Sequence, residues 1–226
     1  MPTPDISISA PGKTRSLAAG RTIRGAARLG LVAAALALAG CAVPGSGTAA
    51  ADRPQVRADE LTEAGGRPCP RTLPVGEDPS GHGFGTQEVA DEMPTLLEPD
   101  TAWVCEYGSV DVGTTSSGGT VLGWRRAGRP EPVTDLSRLT RALDGLAPAD
   151  RSGGCTDDLG PRWMVVSSHD GDLTGAVVDD YGCRDVRLTD DPHATPPGAG
   201  GQDGTVAGVL DGGTAVLDAL GVGRSG

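Results

Sequence analysis

Apolar positions are bunched along this chain rather than spread evenly. The densest run, Leu29 to Ala39, follows a segment carrying Lys13, Arg15, Arg21, Arg24 and Arg28. From Ala42 to about Pro68 apolar periodicity nearly vanishes, apart from a short helix suggested over Ala58 to Ala64 with Leu61 as its one large apolar anchor. Glu88 to Met93 reads as a helical turn ended by Pro94. Aromatic and β-branched residues in Ala102 to Tyr107 predict a strand. A Gly/Ser/Thr turn from Gly113 to Gly119 joins it to a second strand at Thr120 to Arg125. Behind a Thr134-Asp135 cap, Leu136, Leu139, Leu143 and Leu146 recur at helical spacing, and the helix ends near Gly145 and Pro148. Arg162 to Ser168 and Leu173 to about Val178 predict a second hairpin closed by His169-Asp170-Gly171-Asp172, since Asp-Gly favours tight turns. Tyr181 to Leu188 continues as a bulged or separate strand, Asp191 to Gly204 is a Pro/Gly-rich loop, and a last helix runs from about Gly213 to Leu220.

Basic residues followed by an apolar run form an export signal. At about a dozen residues the run is short of the roughly 20 that a spanning helix needs. Its end, Leu38-Ala39-Gly40-Cys41, places small residues directly ahead of a cysteine. This tetrapeptide resembles a bacterial lipobox, which implies a diacylglyceryl group on Cys41 and cleavage just before it. Residues 1–40 are then the signal peptide, 41–68 a lipidated start and flexible tether, and 69–226 an extracytoplasmic domain. A tether of about 25 residues has an r.m.s. reach of roughly 25–30 Å. The order hairpin, helix, hairpin, helix gives an α+β domain with a mainly antiparallel sheet of two hairpins and one or two packed helices. With lipobox, tether and a small cysteine-bearing α+β domain, the chain is similar to bacterial lipoproteins of the actinobacterial type.

Charge and cysteine content refine this picture. The chain carries a net −11, and residues 1–40 hold five bases and one acid, so −15 resides from Cys41 onward. Such a surface disfavours nucleic acid and anionic headgroups as partners. Every base after Cys41 is arginine, a bias that GC-rich codons explain without a function. Five cysteines become an even set of four once Cys41 is lipidated: Cys69, Cys105, Cys155 and Cys183. Sequence does not select among their three pairings; Cys69 with Cys105 and Cys155 with Cys183 is favoured, because each pair brackets a compact segment. The domain is therefore expected to be a modest core stabilised by disulfides.

No constellation names a reaction. Gly81-His82-Gly83-Phe84-Gly85 could bring backbone amides to an anion, but no strand and helix frame it, and an ordinary exposed loop is preferred. Asp157-Asp158, Asp170 with Asp172, Asp179-Asp180 and Asp190-Asp191 read as solvated turn acids rather than a calcium site. No C-x-x-C supports zinc, so no metal or cofactor is expected. His82, His169 and His193 fall in loops without a nucleophile elbow near any serine. Trp103, Trp124 and Trp163 would make a stacking platform if aligned on one exposed face; core packing is favoured. Tyr-Gly beside a cysteine in both halves, at Cys105 to Gly108 and Tyr181 to Cys183, is a faint internal echo that coincidence explains equally well.

The expectation is a monomeric, non-enzymatic binding or accessory module on the extracytoplasmic face of the cell membrane. It is attached through diacylglyceryl-Cys41 and serves an envelope protein or a small ligand. A surface hydrolase acting on wall or peptide, with one histidine as base, and a secreted-protease inhibitor presenting its Pro/Gly-rich loop are the alternatives.

Overall fold

Two strands near the middle of the sheet, Arg162–His169 and Asp172–Asp179, carry the longest apolar runs, and other described segments cover their two faces. The computed structural model describes residues 59–76, 78–156 and 158–223, all within one unit, Arg53–Gly226. The leader, Cys41 and the tether up to Ala58 lie outside the described residues.

The element order is α1 (Glu60–Glu63), β1 (Thr101–Thr114), β2 (Thr120–Arg126), β3 (Glu131–Pro132), α2 (Leu136–Asp144), β4 (Ala147–Pro148), β5 (Arg162–His169), β6 (Asp172–Asp179), β7 (Val186–Thr189), β8 (Leu210–Asp211) and α3 (Gly213–Leu220). The expected α+β class with a mainly antiparallel sheet holds, but the sheet is larger than two hairpins. It has eight strands in the order β2-β1-β5-β6-β7-β8-β4, with β3 pairing β1.

β1 explains part of that growth. Its first half, Thr101–Tyr107, pairs with β5, and its second half, Tyr107–Thr114, pairs with β2 on the other edge across a bulge at Val112. The second half is mostly exposed and polar, so it carries no apolar signal. Backbone pairing with β2 holds it extended. β5, β6 and β7 are buried at most positions and fully exposed at none, because both sheet faces are covered there. The β5–β6 turn is the expected tight one: Asp170 and Gly171 both have positive φ, as that hairpin turn requires.

Two predictions need local correction. Tyr181 to Leu188 is a separate strand only from Val186 on, since β6 ends at Asp179 and the chain must reverse before β7 can run antiparallel beside it. Residues 181–184 form that reversal, closed by Arg184 N–H donating to the Tyr181 carbonyl at 2.9 Å. The Tyr-Gly echo is thereby a strand in one half and a turn in the other. Glu88 to Met93 is not a helical turn: Val89 forms a parallel bridge with Val209, in which the Glu88 carbonyl accepts from Val209 N–H and Ala90 N–H donates to the Val209 carbonyl, so extended pairing takes these groups.

α2 and α3 cover one face of the sheet. Asp135 caps α2 by accepting from Arg138 N–H at 2.9 Å, and Leu139, Leu143 and Leu146 are buried against Val165, Val178 and Leu188. Among the described residues the only helix against the other face is the four-residue α1, through Leu61. The core of that face, with Cys105, Tyr107, Trp124, Met164, Val166 and Val177, is roofed by irregular chain, residues 67–90 and 190–209. Cys69–Cys105 fastens the start of that roof to β1, with Cα atoms 6.6 Å apart, and Cys155–Cys183 ties the loop before β5 to the β6–β7 reversal. α1 falls where the short helix is suggested and packs at the β5–β6 turn, where Glu60 accepts from Leu173 N–H at 2.7 Å. Ordered contacts with the sheet thus begin ahead of Cys69.

Candidate functional site

Irregular chain over a sheet leaves gaps that packed helices would fill. Under the roof lies a cavity of about 470 Å³. Its walls are largely apolar, with Leu73, Pro74 and Val75 on one side, Pro196 and Pro197 on another, and Trp124 and Val177 from the sheet. Its charged lining among the described residues is Arg162, Arg187 and Glu88. A second cavity of about 290 Å³ shares Phe84, Arg162 and Arg187 with the first and reaches the Cys155–Cys183 disulfide.

The two arginines belong to a row of alternating charge. Register places Arg162 of β5 opposite Asp179 of β6, and Arg187 of β7 opposite Val177, one pleat away from Asp179. Arg162 Nε lies 2.6 Å from Asp179 Oδ1, and Arg187 Nη1 donates to Asp179 Oδ2 at 2.8 Å. Arg187 Nη2 donates to Asp185 at 3.3 Å, and Asp185 accepts two hydrogen bonds of 2.9 Å from Arg151. Hydrogen bonding to Asp185 is the main reason that the Arg151 guanidinium holds its proton more tightly than usual. The row therefore reads Arg162, Asp179, Arg187, Asp185, Arg151, with a cation at each end. Four of the five are buried, and Arg151 opens to solvent.

The arginines also hold the roof. Arg162 Nη2 donates to the Phe84 carbonyl at 2.8 Å, and Arg187 Nε to the Thr86 carbonyl at 2.9 Å. Arg162 lies over the Trp124 ring at 4.2 Å and donates to the Tyr181 hydroxyl at 3.1 Å. Burial, with the nearby Asp179 charge, pushes the Tyr181 phenol well above its usual range, so it stays neutral. Trp124 Nε1 donates to the Gly83 carbonyl at 3.0 Å. Gly83 has no alternative residue at this place: its φ is +92°, and a Cβ would stand 1.7 Å from the Leu122 carbonyl oxygen.

The glycine loop is therefore neither a phosphate cradle nor merely an exposed loop. It turns carbonyls toward the arginines and Trp124, and the amide of Gly83 donates to the Asp78 carboxylate. The acidic pairs divide. Asp179 and Asp180 are each 4% exposed, which overturns their reading as solvated turn acids; arginine partners make that burial tolerable. Asp170 is exposed in its turn, Asp190 and Asp191 accept backbone hydrogen bonds from the loop after β7, and Asp157 lies outside the described residues.

The histidines do not converge. His82 meets the Thr120 carbonyl at 2.9 Å, His169 the Glu98 carbonyl at 2.8 Å, and His193 the Arg67 carbonyl at 2.9 Å; none lines either cavity. Nor do the tryptophans share a face, since Trp124 is buried under the roof and Trp163 packs on the helical side. The Pro/Gly-rich loop folds back on the sheet, with Gly198 N–H donating to the Leu188 carbonyl at 2.7 Å. Sequence reasoning missed Arg162 and Arg187. Their signal is an arginine set into an apolar strand run, at Arg162-Trp163-Met164-Val165 and Val186-Arg187-Leu188, which forces a buried acid to accompany it.

Among the described residues no helix is long and apolar enough to cross a membrane. No family model, curated protein or solved structure matches this chain.

Proposed function

We infer that the protein is an extracytoplasmic binding module, held at the membrane by a diacylglyceryl group on Cys41, that captures a small ligand in the cavity under its loop roof. The observation that carries the reading is the character of that cavity. At about 470 Å³ it lies within the range of small-molecule sites, and it combines apolar walls with a few fixed polar groups. Its described lining contains no histidine, cysteine or serine, and Glu88 is its one carboxylate. Neither an activated nucleophile nor a pair of carboxylates is assembled there, which favours binding over turnover. The basic leader, its short apolar run and the lipobox support placement at the extracytoplasmic face.

The test has two arms on the full chain. Intact mass from membrane fractions should start at Cys41 with added acyl mass, and Cys41→Ala should move the protein to the soluble fraction. Calorimetric titration with small naphthalene derivatives should give one site per chain. Ala207→Trp, placed at an exposed residue of the lining, should weaken that binding at least tenfold without unfolding the protein. A soluble, unacylated product would remove the anchor, and absence of any probe binding would remove the binding reading.

A further inference from the structure

The two disulfides of this domain differ in what can reach them. Cys69–Cys105 lies in the core with each cysteine 1% exposed, but Cys155 is exposed, Cys183 is half-buried, and both line the smaller cavity. At about 290 Å³ that space is small for a drug-sized ligand and ample for a thiol of a few heavy atoms. Both ends of the outer bridge thus border a space that a small nucleophile can enter.

Those two ends differ electrostatically. Arg151 is held in place by two hydrogen bonds of 2.9 Å to Asp185, and its Nη1 stands 3.9 Å from Cys155 Sγ. Arg184, next to Cys183 in the chain, directs its guanidinium to the Thr214 hydroxyl and to Asp180. A cation beside a sulfur stabilises the thiolate and lowers the pKa of the thiol. The acids that line the same cavity have partners of their own. Asp185 is shared by Arg151 and Arg187, Asp179 by Arg162 and Arg187, and Asp158 accepts from the Thr156 hydroxyl. Cys155 is therefore the better leaving sulfur, because exchange is faster when the expelled thiol is more acidic.

We propose that Cys155–Cys183 is a thiol-exchange site, at which a small thiol is carried as a mixed disulfide on Cys183 while Cys155 is released as a thiolate beside Arg151. The incoming thiol gives its proton to solvent, and its sulfur attacks Cys183 Sγ. A bond forms between those two sulfurs, the Cys155–Cys183 bond breaks, and Cys155 leaves with the electron pair. One disulfide replaces another, so no outside oxidant or reductant is required. Return of the Cys155 thiolate onto Cys183 expels the thiol and restores the bridge. Exchange does not depend on what occupies the main cavity, and Cys69–Cys105, shut in the core, takes no part.

The experiment treats the full folded chain with 2-mercaptoethanol at neutral pH, traps it with N-ethylmaleimide at short intervals, and maps the tryptic peptides without reduction. Arg151, Arg162 and Arg184 delimit these peptides so that Cys155 and Cys183 fall in separate ones. The adduct should appear first on Cys183, severalfold over Cys155, with maleimide on Cys155 and Cys69–Cys105 intact. Arg151→Gln should slow the exchange and level that preference. Single-thiol variants read the same asymmetry without the bridge, with circular dichroism to check the fold of each. In Cys183→Ser, iodoacetamide should alkylate Cys155 with a pH midpoint below the ordinary thiol value of about 8.5, and Cys183 in Cys155→Ser should have the higher midpoint. Adducts split evenly or mainly on Cys155, a Cys155 midpoint no lower than that of Cys183, or exchange only after the domain unfolds would each overturn the assignment.

Discussion

Asp179 is ion-paired with two buried arginines at once, accepting from Arg187 and facing Arg162 Nε, so its loss takes a counter-charge from both guanidiniums. Replacing it with alanine should cost about 3–5 kcal/mol, the scale for removing one partner of a buried ion pair, and urea denaturation will show it as a lowered midpoint. Asp78 works within the roof, through ionisation. Burial opposes its charge, but hydrogen bonds from Ser80, Gly83 and Phe84 outweigh that and hold its carboxyl below the usual 3.8. A carboxylate whose pKa is lower in the folded than in the unfolded state favours folding above the unfolded value and loses that contribution as pH falls through the folded one. The native chain should therefore lose stability as the pH drops below about 4, and Asp78→Asn should make that decline shallower. A slope unchanged by the substitution would show that the hydrogen bonds to Asp78 do not couple to folding.

Among the elements, the two disulfides separate loop length from burial. Their sequence separations are 36 and 28 residues, so chain entropy alone assigns each roughly 3–4 kcal/mol. Burial distinguishes them. Cys69 and Cys105 are each 1% exposed inside the core beneath the roof, whereas Cys155 is exposed. Graded reductant with mass mapping should therefore open Cys155–Cys183 first, and serine pairs at Cys69 and Cys105 should destabilise the domain more than serine pairs at the other bridge. The same contrast explains what the sequence made legible. α2, α3 and the β5–β6 hairpin carry their own periodicity, cap or turn dipeptide, so local chemistry suffices to place them. The outer half of β1 and the two-residue strands β3, β4 and β8 are extended only because a neighbour supplies hydrogen bonds, and nothing in their own residues announces it. The cavity was hidden for a related reason. Its walls come from Leu73 to Glu88 and Pro196 to Gly208, which are stretches without periodicity, and its charges from arginines whose partners are fixed by register.

Across the whole domain the sheet separates two unlike coverings, and their difference predicts how the molecule opens. The helical side buries continuous leucine and valine surface, so it releases its amides only when the domain unfolds. The roof has few backbone hydrogen bonds and is held by particular ties: Cys69–Cys105, the arginine donations to Phe84 and Thr86, and the pairing of Glu88 and Ala90 with Val209. Amide exchange should therefore be slowest in β5, β6 and β7 and much faster in residues 73–87 and 196–207. A ligand seated between roof and sheet adds contacts to the fast segments and none to the helices. Saturating 2-naphthoate should thus slow exchange in both roof segments together while leaving α2 and α3 unchanged, because a ligand that binds only the closed roof suppresses its opening by mass action. Uniform slowing over the whole domain would mean that the roof does not open separately from the sheet, and would assign the cavity to the static core.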